Sequence, residues 1–231
     1  MVSRVHLAGE VSNYAPGRRN RTAAVVGLVA LVISIAGSGV PAFWSDEVAT
    51  LRAVRLSWQE LFAFIEHKDA VHAAYYSLLK LWVGMFGASE LATRSLSALA
   101  VGAAAAGLVI LVTSMTSLRV AVIAGVIFAV LPRTTSMGIE ARSFALSAAV
   151  AVWVTIVLLV AARTRDWRWW ALYAVIVAAG TYIFLYTVLI LAVHFVFLLL
   201  DYRVRRVLAA WLFAASGAVL TLGQNGANSA V

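Results

Sequence analysis

Cysteine is absent from this chain, and charged residues make up only 12% of its 231 residues. The absence of cysteine excludes a disulfide framework, a thiolate metal site and a cysteine nucleophile. Soluble domains contain about 25% charged residues, so the composition also excludes an ordinary soluble domain. With 63% hydrophobic residues and a mean hydropathy of +0.94, the chain is predicted to be an all-α protein that crosses a membrane several times.

Glycine-rich phosphate loops, GxSxG motifs and HExxH motifs are also missing from the sequence. Chemistry on soluble nucleotides is therefore not indicated. The net charge of +8 raises the question of nucleic acid, but no basic groove or aromatic platform accompanies it. Its Lys and Arg residues gather instead in short segments between apolar runs, as the cytoplasmic loops of membrane proteins do. We predict no nucleic-acid partner.

Apolar runs predict about seven spans. The first, 22–39, is interpreted as an uncleaved span, because no cleavage site leads into a polar mature chain. The others are 95–113, 120–132, 141–162, 169–181, 183–200 and 207–222. As a single helix, 169–200 would be about 48 Å long, too long for a hydrocarbon core of about 30 Å. Two short helices that turn near Gly180 are predicted instead.

The distribution of basic residues predicts the orientation of these spans. The cytoplasmic segments are predicted to be 1–21, 114–119, 163–168 and 201–206. The outer segments are predicted to be 40–94, 133–140 and the turn near 180. The chain is thus divided into a cytoplasmic N-terminal segment 1–21, a transmembrane domain 22–222 with a long outer loop 40–94, and a polar end 223–231 outside.

The outer loop is predicted to contain two short helices. Ser57 and Glu60 have the spacing of a capping box that opens a helix over 58–67. A second apolar helix is predicted over 73–86, ended by Gly87. Farther along, Gly102 and Ala106 form a pair of small residues that allows close helix packing.

Asp46 and Glu47 follow the first span directly, so two adjacent carboxylates are placed at the lipid boundary. Ionised groups so close to hydrocarbon carry a desolvation penalty, which favours a functional role. One carboxylate can take a proton from a hydroxyl group, and the other can orient that hydroxyl or hold a metal. The alternative is a solvated pair at a membrane exit.

Glu140 and Arg142 form a second candidate pair at the predicted start of the fourth span. The helix dipole alone would account for a carboxylate at that position. The same dipole disfavours Arg142, which indicates an anionic partner such as a phosphate or a carboxylate.

A third candidate group lies within 66–76. His67 and His72, with nearby carboxylates, leave open a divalent metal, although their spacing is loose for a ligand pair. Tyr75 and Tyr76 are predicted to anchor at the membrane interface or to line a sugar site. His194 lies inside an apolar span, where the alternatives are a functional group and a neutral histidine bonded to a neighbouring helix.

Three motifs, FWSDE at 43–47, DAVHAAYY at 69–76 and IEARSFAL at 139–146, together resemble GT-C type polyprenyl-phosphate-sugar-dependent glycosyltransferases. The bacterial branch related to protein O-mannosyltransferases and the RgtA/B/C/D-like group is the most similar, with an actinobacterial style of sequence. The resemblance covers roughly 20–215. It implies a GT-C-like fold with a long first outer loop. It also implies inverting transfer of a sugar, mannose in particular, on the outer face of the plasma membrane.

The resemblance implies a polyprenyl-phosphate-linked sugar as donor and a lipid, glycan or protein as acceptor. Asp46 would be the general base, with Glu47 and Glu140 lining the site. Arg142 would steady the lipid phosphate as it leaves. His72, Tyr75 and Tyr76 would contact substrate. No metal is assigned.

The chain departs from the family at 71–74, where members have a proline-rich stretch, and it has fewer spans than members typically carry. Two alternative functions therefore remain. One is a shortened, inactive copy or a non-catalytic partner in an assembly. The other is a transporter fragment, which would require ionisable groups at the bilayer midplane.

Overall fold

The computed structural model describes residues 16–68, 72–201 and 205–228, and these ranges contain helices and no strand. Helix makes up 87% of the structure, which confirms the all-α prediction. The first seven helices are α1 (Pro16–Ser38), α2 (Ser45–Arg55), α3 (Trp58–Lys68), α4 (Ala73–Phe86), α5 (Glu90–Thr113), α6 (Leu118–Val130) and α7 (Pro132–Gly138). The others are α8 (Phe144–Thr164), α9 (Trp167–Ile183), α10 (Ile190–Leu200) and α11 (Leu208–Asn228), with 3-10 turns at Leu185–Leu189 and Arg205–Val207.

Three helices are long and apolar enough to cross a membrane: α1, α5 and α8. The pair α6 and α7, bent by 63°, makes a fourth crossing if it is one broken span. The predicted count of about seven is not confirmed. Two further apolar segments of the described chain, Leu185–Leu200 and Leu208–Val219, are shorter than the roughly 20 residues of a perpendicular span.

Helix α5 is the centre of the bundle and packs against α1, α4, α6, α7 and α8. Its closest neighbour is α1, because small residues face each other at the crossing. A Cβ atom added to Gly27 of α1 would lie 2.7 Å from the carbonyl oxygen of Gly102 and 2.9 Å from the Cβ of Ala106. The predicted close packing through Gly102 and Ala106 is therefore confirmed.

The predicted break within 169–200 is present but lies slightly later than expected. Helix α9 continues through Gly180 to Ile183, and the chain then turns at Phe184 into the 3-10 turn. Gly180 remains helical because it lies against α8, where an added Cβ would be 2.6 Å from Cγ1 of Val150. The glycine serves helix packing and does not form the turn.

A buried hydrogen-bond chain joins α8, α9, α10 and α11. Trp211 Nε1 donates to the Tyr173 hydroxyl at 2.9 Å, and that hydroxyl lies 2.8 Å from Nδ1 of His194. His194 Nε2 lies 3.1 Å from the hydroxyl of Thr155, which donates to the Ala151 carbonyl at 2.7 Å. Because the Thr155 hydroxyl donates its proton to the Ala151 carbonyl, it accepts from Nε2–H of His194. His194 is therefore hydrogen-bonded to side chains of α8 and α9, as the second of its two alternatives expected.

Helices α2, α3 and α4 form a separate layer beside α5. The predicted capping box is confirmed, since Glu60 accepts from the Ser57 N–H at 2.8 Å and the Ser57 hydroxyl accepts from the Glu60 N–H at 3.2 Å. Helix α4 ends as predicted at Gly87, whose φ of +88° is a conformation that favours glycine. This layer carries the first two candidate residues, Asp46 and Glu47.

The two ends of the chain are only partly described. Residues 16–21, predicted as part of a cytoplasmic segment, belong to α1, and 1–15 lie outside the described residues. Helix α11 runs to Asn228, so most of the predicted polar end is helical, while 229–231 lie outside the described residues.

Candidate active site

Asp46 and Glu47 lie in the first turn of α2, a helix that the sequence analysis did not predict. The helix begins at Ser45 because the Glu47 carboxylate accepts the backbone N–H of Trp44 at 3.1 Å. Acidic residues in this first turn, with Arg52 and Arg55 in the last, complement the helix dipole. The two adjacent carboxylates then point in different directions.

Glu47 points inward and forms an ion pair with Arg94 of α5. The Oε2 atom lies 2.7 Å from Arg94 Nη2, and Oε1 lies 2.9 Å from Arg94 Nε. Both side chains are buried, at 1% and 0% exposure. This two-point contact is the strong geometry for arginine and a carboxylate.

Arg94 also holds the segment that joins α1 to α2. Its Nη1 donates to the carbonyls of Ser38 and Pro41, each at 2.7 Å, and Nη2 donates to the carbonyl of Ala42 at 3.2 Å. These bonds use carbonyls that are left open where α1 ends. Arg94 therefore fixes where α2 begins and so where Asp46 lies.

Glu47 makes a further bond that brings a distant turn to α2. Its Oε1 accepts the backbone N–H of Ala141 at 2.7 Å. Burial alone would raise the pKa of Glu47, but the hydrogen bonds from Arg94, from the Ala141 N–H and from the Trp44 N–H outweigh burial and hold the pKa below its usual range. The carboxylate is ionised and fully engaged, so it positions the site and is not open to substrate.

The predicted location of Glu140 and Arg142 in the first turn of the fourth span is wrong. Both lie in a non-helical turn between α7 and α8, which begins only at Phe144. In that turn the Ala141 N–H is bound to Glu47, and the Glu140 carbonyl accepts from the Ser97 hydroxyl at 2.6 Å and from the Arg142 N–H at 2.9 Å. The dipole argument used for Glu140 therefore does not apply.

Asp46 and Arg142 face each other across a pocket of about 240 Å³. Oδ2 of Asp46 lies 3.9 Å from Nη2 of Arg142, and the two side chains are 72% and 22% exposed. Glu140 is held to one side, where its Oε1 accepts from the Ser136 hydroxyl at 2.7 Å. The lining residues are Trp44, Ser45, Asp46, Glu47, Glu140, Arg142 and Phe144.

Phe144 carries two guanidinium groups near its ring. Arg142 lies 5.8 Å and Arg133 lies 5.2 Å from the ring centroid. Such cation–π contacts hold guanidinium groups in place while leaving their N–H groups free to bind other partners. The pocket thus combines one accessible carboxylate with one held cation.

No protein-family model matches this sequence, and comparisons with curated proteins and with solved structures also give no match.

His72 lies near this pocket but not in its lining. Its Nδ1 is 3.3 Å from the Ile183 carbonyl and 3.4 Å from the Ser143 hydroxyl. The ring stacks on Phe184, with centroids 5.8 Å apart. His72 therefore joins α4 to the break after α9 and to the start of α8.

Tyr75 and Tyr76, predicted to anchor at the membrane interface or to line a sugar site, are buried in this structure and are not among the residues that line the pocket. The two side chains are only 2% and 5% exposed, and they pack with Leu61, Leu79 and Leu96 between the outer layer and α5. Both side chains lie on the buried face of α4 and belong to the core. Burial raises the pKa of the Tyr75 hydroxyl.

No metal ligands are assigned. Among the residues that the structure describes, no three His, Asp or Glu side chains come together as a metal site would require. Asp69 and the side chain of His67, which entered the sequence-based metal hypothesis, lie outside the described part of the chain.

Arg94 is the main residue that the sequence analysis missed. A signal was available, because an arginine directly beside the apolar run 95–113 lies close to hydrocarbon and requires a partner. Glu47 was available as that partner. Its separation of 47 residues from Arg94 hid the pairing.

Proposed function

We propose that this chain is a GT-C type membrane glycosyltransferase with Asp46 as its general base. One observation carries the proposal: of two adjacent carboxylates, Glu47 is buried against Arg94 while Asp46 is 72% exposed opposite Arg142. A general base must be reachable by the hydroxyl from which it takes a proton. A cation in the same pocket, 3.9 Å from Asp46, can stabilise a phosphate leaving group.

In the proposed reaction, the acceptor hydroxyl transfers its proton to Oδ2 of Asp46. The acceptor oxygen then attacks the anomeric carbon of the donor sugar as the bond from that carbon to the phosphate oxygen breaks. The electron pair of that bond leaves with the polyprenyl phosphate, and Arg142 stabilises the charge that develops there. Inversion follows because attack and departure occur on opposite faces of the sugar.

The resting geometry supports this division of roles. At 3.9 Å, the contact between Asp46 and Arg142 is longer than a tight ion pair of about 2.7–2.9 Å. A donor phosphate that binds Arg142 would replace this contact and leave Asp46 unpaired. The pocket volume of about 240 Å³ is below the roughly 300–1,000 Å³ of sites for drug-sized ligands. It suits one sugar-phosphate unit, with the lipid chain outside.

The proposed orientation places this pocket on the extracytoplasmic face of the plasma membrane and the beginning of α1 in the cytoplasm. The basic segments support this orientation. The proposal also retains about seven crossings, with α9, α10 and α11 as short spans around which the bilayer thins locally. Because the chain has no cysteine, single substitutions test the orientation cleanly. Cysteine at Asp46 should react with an impermeant maleimide added outside intact cells, and cysteine at Thr116, in the turn after α5, should react only after permeabilisation.

The activity test measures transfer of labelled mannose from polyprenyl-phosphate mannose in membranes that contain the full chain. Asp46→Asn should lower transfer by at least about 100-fold, because a positioned general base contributes roughly that much or more. Asp166→Asn is the matched control. Asp166 caps α9 by accepting the Arg168 N–H at 3.0 Å, and asparagine caps equally well, so transfer should be unchanged.

Equal transfer by the wild type and Asp46→Asn would remove Asp46 from the proposed role. No transfer by a wild-type chain that is inserted and folded would reject the catalytic proposal. The alternative of a non-catalytic assembly partner would then be favoured. That alternative predicts that Asp46→Asn leaves the cellular phenotype of the wild type intact.

A further inference from the structure

A second pocket lies at the opposite end of α1 from Asp46. It has a volume of about 640 Å³ and is formed between the beginnings of α1 and α6. Its lining residues are Arg18, Thr22, Leu118, Arg119, Val122 and Ile123. From Arg18 to Ser38, which Arg94 holds beside the first pocket, an α-helix rises about 30 Å. That length equals the thickness of a bilayer hydrocarbon core.

The lining of this second pocket has two different parts. Arg18 and Arg119 supply two basic side chains, whereas Leu118, Val122 and Ile123 supply an apolar wall. A site for a free anion would need only the basic part, so the apolar wall indicates a ligand with both a negative group and a hydrocarbon part.

The apolar wall continues along α6. Ile123 is 59% exposed, and Val126 and Ile127, about one turn farther on, are 44% and 52% exposed. An acyl chain lying on this face would cover apolar surface that α1 and α5 leave open. The pocket is thus continuous with a hydrocarbon-facing strip that leads from the basic end toward the middle of the bundle.

We propose that this pocket binds the phosphate headgroup and the first part of an acyl chain of an anionic glycerophospholipid, in the leaflet opposite the Asp46 pocket. Arg18 and Arg119 pair with the phosphate, for which guanidinium groups have the matching geometry. Leu118, Val122 and Ile123 contact the acyl chain. This lipid is neither donor nor acceptor in the proposed reaction, and the inference is independent of that reaction.

The test uses the purified full chain in neutral detergent and counts bound lipids by native mass spectrometry. Dioleoyl phosphatidylglycerol is titrated against dioleoyl phosphatidylcholine, which has the same acyl chains and no net charge. The double variant Arg18→Gln, Arg119→Gln should bind phosphatidylglycerol about thirtyfold more weakly, since each arginine near an anionic headgroup contributes about fivefold. The matched control is Arg163→Gln, Arg168→Gln, which removes the same charge from other exposed positions and should keep wild-type affinity.

A further measurement distinguishes a site for a lipid from a site for free phosphate. Glycerol 1-phosphate carries the anionic group without acyl chains, and it should compete at least tenfold more weakly than phosphatidylglycerol. Ile123→Asn should weaken binding of phosphatidylglycerol while leaving binding of glycerol 1-phosphate unchanged. Unchanged tryptophan fluorescence would establish that each variant is folded.

Three results would overturn the proposal. The first is an equal loss of phosphatidylglycerol binding in both double variants, which would mean that the lipid responds to general surface charge and not to this pocket. The second is equal affinity for phosphatidylglycerol and phosphatidylcholine. The third is competition by glycerol 1-phosphate as strong as that by the lipid, which would leave a phosphate site without the acyl contact.

Discussion

Arg94 Nη2 lies 2.7 Å from Glu47 Oε2, and both side chains are buried. This pair joins α5 to the first turn of α2. Because Arg94 also binds the carbonyls after α1 and Glu47 binds the Ala141 N–H, one ion pair determines where three segments meet. The location of the Asp46 pocket depends on it.

Arg94→Met should destabilise the protein strongly. Methionine has a similar length but leaves the Glu47 charge buried without its cation, and breaking a buried pair in this way costs about 3–5 kcal/mol. The measurement is thermal unfolding in detergent, followed by tryptophan fluorescence. Glu90→Gln, in the first turn of the same helix, serves as control and should change the midpoint little. A midpoint in Arg94→Met equal to the control would contradict the structural role of the pair.

Lowering the pH should lower the free energy of unfolding as Glu47 becomes protonated. Its pKa in the folded state is below the ordinary value of 4.5, so the stabilisation is fully present above pH 4.5. It is lost as the pH falls from 4.5 through the lower folded pKa, because the unfolded chain then binds the proton more readily. Glu47→Gln should lower the midpoint at pH 7 and flatten its dependence on pH between 5 and 3. An equally steep dependence in the variant would assign the acid sensitivity to other groups.

Gly27→Ala should destabilise the bundle, although alanine favours helix. The new Cβ would lie 2.7 Å from the Gly102 carbonyl oxygen, so α1 and α5 must separate, at a cost of about 1–3 kcal/mol for overpacking. Gly84→Ala is the matched control in α4, because no atom lies within 4 Å of its added Cβ. That variant should gain up to about 1 kcal/mol in free energy of unfolding. Equal thermal midpoints for the two variants would mean that the close crossing of α1 and α5 is absent.

Tyr173→Phe should lower the free energy of unfolding by weakening the contacts among α8, α9, α10 and α11. Removal of the hydroxyl leaves the Trp211 N–H and the His194 Nδ1 atom without their shared partner, and an unmade buried hydrogen bond costs about 1–3 kcal/mol. Tyr186→Phe changes the same group on a side chain that is 66% exposed and should have little effect. The thermal midpoint in detergent reports the difference. Equal midpoints for Tyr173→Phe and Tyr186→Phe would show that the Tyr173 hydroxyl does not hold the buried hydrogen bonds.

Local signals predicted much of the helical structure. The capping box at Ser57, the stop at Gly87 and the small residues Gly102 and Ala106 all depend on neighbours in sequence or on helix periodicity, and the structure confirms them. The number of spans was less predictable. Hydropathy alone does not decide the number, because Leu185–Leu200 and Leu208–Val219 are apolar but shorter than the roughly 20 residues of a perpendicular span.

The candidate pocket was predictable only in part. The sequence singled out Asp46 and Arg142 as separate candidates, and the structure brings them to 3.9 Å. It did not reveal Arg94 as the partner of Glu47, and it placed α8 too early. The bonds to Glu47 from Arg94 and from the Ala141 N–H join residues that are 47 and 94 positions apart in the sequence, so no local pattern could show them.

Asp46 and Glu47 are neighbours, and consecutive side chains on an α-helix diverge by about 100°. This divergence sends one carboxylate into the protein and the other into the pocket. The order of the two acids is therefore not interchangeable. With the order reversed, the shorter aspartate would point toward Arg94 and fall one methylene short of it, and the longer glutamate would occupy the pocket. The two positions of the dipeptide therefore have different roles, because Glu47 binds Arg94 and Asp46 faces the pocket.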